Sequence, residues 1–177
     1  MTLDSKTRSV QSLREGDYLM NRPDLPMDQA CLKRLLRDGV DPRVAAINLE
    51  AVKATLRAER CWSVKRADLA EREYKRLLTL RLWNSCLPYP LVPTKFADAV
   101  WHAHILDTHS YHKDMQALFG EYLHHFPYLG FGSELRLQRK YEAFERTCAL
   151  YERTFGEPMT IVPAKSRRSR LAIRSTQ

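Results

Sequence analysis

The sequence predicts an all-α fold: a single compact domain of about five helices. A flexible lead-in is expected over 1–25, the helical body over 26–158 and a basic, disordered tail over 159–177. Three observations carry this. Apolar residues recur at helical spacing, as at Leu69, Leu77, Leu80 and Trp83. No stretch alternates with the period of two that a half-buried strand needs. Cap residues punctuate the segments, with Asp41, Thr94 and Ser133 before them and Gly39, Gly120 and Gly156 after. A chain of 177 residues that is 44% apolar and 10% aromatic is long and apolar enough for a real core.

The elements follow in order. Residues up to about 25 are polar and include RPDLP, a lead-in. A short helix is expected over 27–37, closed by Gly39. Residues 41–60 read as the next helix, with Asp41 at the N-cap, Pro42 at the first helical position and a stripe of Val44, Ile47, Leu49, Val52 and Leu56. A third helix covers roughly 65–85. LPYPLVPT, at 87–94, holds three prolines and reads as an extended connector ending in the cap Thr94. A histidine-rich helix then runs from Lys95 to Gly120. Asp107 and Thr108 sit mid-way and are good N-cap types, which leaves one helix or two joined by a bend open. A loop over 126–133 carries two glycines, and Ser133 caps a long last helix that Gly156 closes.

All six histidines fall between 102 and 125: His102, His104, His109, His112, His124 and His125. On a helix of about 100° per residue, Asp98, His102, Ile105, His109 and His112 share one side, and Val100, His104, Tyr111, Met115 and Leu118 another. His102 and His104 are then about 200° apart and do not grip one ion from a regular helix. His104 is expected to be buried. His102, one turn after Asp98, is expected to pair with it, and His109 and His112 are expected to be solvated. The ligand and pocket candidates are Asp98, Trp101, His102, His104, Thr108, Tyr111, His124, His125 and Tyr128. The candidate metal set is His102, His104 and His124, with zinc as the ion, because three protein ligands with an open position make the catalytic zinc pattern. The helical HExxH motif is absent, as are GxSxG and Gly-rich phosphate loops. Trp101 is expected in the core.

These residues resemble a known family. The pattern D-x-x-W-H-x-H, then T-x-x-Y, F-G and L-H-H-x-P-Y is met at Asp98, Trp101, His102, His104, Thr108, Tyr111, Phe119, Gly120, Leu123, His124, His125, Pro127 and Tyr128. It is similar to the bacterial branch of the glycine-rich domain-containing protein-like family, over roughly 65–157. The family pattern often has a cysteine four residues after the tyrosine, where this chain has Met115. A metal site or nucleophile that uses that cysteine is therefore not expected here. The resemblance implies a domain and no mechanism.

Charge and cysteine usage bound the rest. Of the net +8, the last fifteen residues supply +5, through Lys165, Arg167, Arg168, Arg170 and Arg174. These are the weak nucleic-acid candidates, and a solvated tail is the plainer reading. Cys31, Cys61, Cys86 and Cys148 form no CxxC pair, and MTLDSKTRSVQSLREGD has no apolar core of a signal peptide. A reducing, cytoplasmic setting without membrane spans is expected. Three functions stay in view: an interaction module with a protein partner, built around the Trp-His-x-His signature; a zinc-type metal-dependent pocket protein or hydrolase using His102 and His104 with His124 or His125; and a nucleic-acid-associated protein acting through its tail.

Overall fold

The computed structural model describes residues 23–159, which are helical with no strand among them. The expected tail residues Lys165, Arg167, Arg168, Arg170 and Arg174 and most of the lead-in lie outside the described residues. Among the described residues, seven helices replace the five expected: α1 (Gln29–Arg37), α2 (Pro42–Ala45), α3 (Glu50–Arg60), α4 (Val64–Trp83), α5 (Lys95–Leu106), α6 (Thr108–Phe119) and α7 (Glu134–Phe155). No described helix is long and apolar enough to cross a membrane.

The two additional helices arise because two expected long helices are each divided. The segment 41–60 breaks after Ala45, and a buried lysine from another helix explains how. Lys75 Nζ donates to Ala45 O at 3.1 Å and to Ile47 O at 2.7 Å, and it pairs with Glu71 at 2.9 Å. It satisfies carbonyls that an ending helix leaves without partners. The chain restarts as Asn48 Oδ1 accepts from Glu50 N at 3.0 Å. The histidine-rich segment divides at Asp107, whose N–H bonds to Ala103 O and His104 O and whose own carbonyl accepts from Tyr111 N. The alternative of two helices joined by a bend is the one observed.

The longest buried stretch is the second half of α4, where Glu73 to Leu80 are all buried. Helices α1 to α6 pack around it over one core, which includes Leu35, Val44, Leu56, Tyr74, Leu78, Val100, Tyr111 and Met115. A smaller cluster of Leu80, Leu150, Tyr151 and Met159 joins α4 to α7. Polar bonds complete that junction: Arg76 Nη1 donates to the Tyr151 hydroxyl at 2.8 Å, and Tyr151 donates to Glu73 Oε1 at 2.8 Å. The proline-rich connector is tied to α7 where Val92 N donates to Thr147 Oγ1 at 3.0 Å. Gly39, at φ +79°, closes α1 so near the end of α7 that a Cβ there would lie 3.3 Å from the Phe155 ring. Trp101, expected in the core, is half-buried at its edge.

Candidate metal centre

Helix periodicity places the first two candidate ligands. Asp98 and His102 are four apart on α5, and their side chains meet at 3.7 Å between Oδ1 and Nε2. The third arrives from the loop after α6. His125 Nε2 lies 3.2 Å from Asp98 Oδ1 and 3.2 Å from His102 Nε2. Among the described residues, Asp98, His102 and His125 are thus one of two groups whose ligand atoms lie within metal-binding reach of one another.

A relay of hydrogen bonds sets the loop. Gly120 ends α6 in the left-handed region. The buried Tyr111 hydroxyl donates to Leu123 O at 2.6 Å and accepts from Trp101 Nε1 at 2.9 Å. The Leu123 carbonyl, two residues before His125, is therefore fastened to α6 and through Trp101 to α5. Burial pushes the Tyr111 phenol up to about 12, so it stays a hydroxyl donor at neutral pH. The Trp101 ring in turn supports the His125 ring edge-on, with centroids 4.6 Å apart.

The sequence-derived trio of His102, His104 and His124 is not brought together. His104 is buried and points the other way, as its position 200° from His102 requires. Its Nδ1 meets the Tyr74 hydroxyl at 3.1 Å and its Nε2 meets Asp114 Oδ2 at 3.2 Å. Both ring nitrogens are engaged, which marks a core histidine satisfied on two sides. His124 is exposed against the Tyr122 ring, at 4.9 Å between centroids. Since His124 and His125 are adjacent, only one turns toward α5, and it is His125. His109 and His112 are exposed, Thr108 opens α6 at the surface, and Tyr128 is exposed with its ring against Phe126. Sequence reasoning missed the Tyr111–Leu123 tie and the partnership of His104 with Asp114; no short-range pattern encodes either.

The three ligand atoms border a cleft of about 860 Å³. Its walls come from α4, the proline-rich connector, α5, the loop and α7. Leu78, Leu91, Phe96, Leu129 and Phe144 make it apolar, and Asp98 is its one acidic residue. Asp98 and His102 are part-exposed and His125 is mostly covered, so water reaches the ligand triangle from one side.

The second group, Cys31, Glu50 and Glu71, is of another kind. Lys53 Nζ already stands among its carboxylates, 2.8 Å from Glu50 and 2.8 Å from Glu71. Burial opposes that ammonium, but the Glu71 charge and the bond to Glu50 outweigh it and hold Lys53 above its ordinary range. Burial, with the Glu71 charge, pushes the Cys31 thiol up to about 11. A protonated thiol beside a fixed ammonium is an ion-pair network of the core, and it is poorly suited to ligate a metal.

Compared with family models, with curated proteins and with solved structures, the chain matches none.

Proposed function

We propose that the chain is a metal-dependent pocket protein in which Asp98, His102 and His125 bind a divalent transition-metal ion, zinc first, at the edge of the apolar cleft. One observation carries this reading. The three ligand atoms are 3.2, 3.2 and 3.7 Å apart. Zinc bonds of about 2.0–2.1 Å put neighbouring ligands of a tetrahedron about 3.3 Å apart. Hydrogen bonding alone accounts for the triangle less well. The two contacts at 3.2 Å share His125 Nε2, which cannot donate to Asp98 and accept from His102 Nε2 at once, whereas one cation can take a lone pair from all three atoms.

Two imidazoles and one carboxylate leave a coordination position for water, the pattern of catalytic rather than structural zinc. A bound zinc ion supplies a water acidified to a pKa of about 7. The chain's own residues orient the ligands, through Tyr111 and Trp101, and present an apolar surface beside the open position. The reaction class that fits is hydrolysis. The same donors form the facial triad that binds Fe(II), so the identity of the metal separates hydrolytic from oxygen chemistry. The resemblance to the glycine-rich domain-containing protein-like family is retained as a proposal, in which Asp98, His102 and His125 are ligands and Trp101 and Tyr111 position them.

Elemental analysis of tag-free protein tests the reading. Near-equimolar zinc is expected, lost in Asp98→Asn and in His125→Ala with helicity retained, and kept in His124→Ala. Metal-free protein whose melting is unmoved by excess zinc or by a chelator overturns it.

A second reading, an interaction module, rests on a different observation. Phe126, Tyr128, Phe131 and Leu135 are 60–74% exposed within ten residues of chain. Exposed aromatics gathered on one loop favour a protein partner.

A further inference from the structure

We infer that the cleft beside Asp98, His102 and His125 binds a single-chain carboxylate, an acyl chain lying against the apolar walls with its anionic head at the metal end. The head-group half rests on the metal reading above; the chain half does not.

The walls decide the body of the ligand. Leu78, Phe96, Leu129 and Phe144 come from four separate segments and face one space of about 860 Å³. That volume lies within the range of about 300–1,000 Å³ common to small-molecule pockets. A sugar or a nucleotide base needs hydrogen-bond partners along its length, and it loses affinity where polar groups are buried without them. The lining is mostly apolar, and among its polar groups Asp98, His102 and His125 meet in one cluster. The body of the ligand is therefore apolar.

Charge decides the head. Arg81, Lys95 and Lys140 border the cleft, while Asp98 is its single acid and is taken up by the metal in this reading. Lys95 precedes Asp98 by three residues on α5, so the two share a face of the helix, and both line the cleft. Lys140 comes from α7, its stem against Gly130, where an added Cβ would come within 2.8 Å of Lys140 Cδ. An anion is drawn to this cleft and a cation repelled. A carboxylate is the smallest anionic head that meets both an open metal position and neighbouring ammonium groups.

The experiment is calorimetric titration of the zinc-loaded full chain with octanoate, decanoate and dodecanoate below their micelle concentrations, with zinc content measured on the same samples. One-to-one binding is expected, tightening roughly three- to fourfold per added methylene, as about 0.8 kcal/mol per buried CH₂ implies. Lys95→Glu is expected to weaken decanoate severalfold at unchanged zinc content, and decyltrimethylammonium is expected not to bind. His125→Ala should lower affinity about tenfold and leave the chain-length slope intact. Four results overturn the inference: no decanoate binding to zinc-replete protein, equal binding of the cationic amphiphile, affinity independent of chain length, or association with phosphatidylglycerol vesicles without binding of monomeric decanoate. Zinc present without decanoate binding sinks this inference alone. Absent zinc sinks the metal reading, and the chain-length series on that protein still decides the cleft.

Discussion

At the scale of single residues, the candidate centre depends on side chains that never touch the ion. Tyr111 links Trp101 to the Leu123 carbonyl with bonds of 2.9 and 2.6 Å. Removing its hydroxyl leaves a half-buried donor and acceptor without this partner and frees the loop that carries His125. Tyr111→Phe is therefore expected to weaken zinc binding about 10- to 100-fold, the usual effect of losing an outer support. Competition against a chromophoric chelator measures this, and an affinity equal to that of the wild type would remove Tyr111 from the account. Sequence reasoning reached part of this scale. Helical geometry separated His102 from His104, paired His102 with Asp98 and buried His104. It put His124 rather than His125 in the metal set, because parity in a loop is set by where the loop is fastened, here a tyrosine twelve residues before the bonded carbonyl.

At the scale of elements, caps do the visible work and long-range polar contacts do the hidden work. Asp41 caps α2 by accepting from Arg43 N at 2.9 Å, and it also accepts from the Trp83 indole at 2.9 Å. The Arg43 side-chain bond, against the opposing effect of burial and with help from Trp83, lowers the Asp41 carboxyl to about 2. The sign follows from this depression. The stability it contributes is complete above the unfolded value of about 4 and is lost as pH falls through about 2. Asp41→Ala is expected to cost roughly 1–2 kcal/mol at neutral pH and to flatten the loss of stability between pH 4 and 2. Urea midpoints across that range check it, and a variant with the wild-type acid slope contradicts it. Helix starts at Asp41, Thr94 and Ser133 and stops at Gly39, Gly120 and Gly156 were legible because caps are local chemistry. The break after Ala45 was not, because it depends on Lys75, thirty residues away from that carbonyl.

At the scale of the whole molecule, the cleft is the feature least written in any one segment. Its walls gather residues from Leu77 on α4 to Phe144 on α7, and each apolar position there had an equally good reading as ordinary core. The all-α class was legible because helical period and caps recur along the chain. The cleft was not, because it exists only once α4, α5, the loop and α7 have packed. The charge pattern has the same character: Lys95 and Lys140 are far apart in sequence and border one cleft in the fold.

The central claim is that two imidazoles and a carboxylate from Asp98, His102 and His125 surround one ion. X-ray absorption at the metal edge of the loaded protein tests it most directly. The account predicts a first shell of nitrogen and oxygen only, at about 2.0–2.1 Å, with outer-shell scattering from two imidazoles, unchanged in His124→Ala. A sulfur shell near 2.3 Å, two imidazoles still bound to metal in His125→Ala, or an imidazole count that His124→Ala lowers, would contradict it.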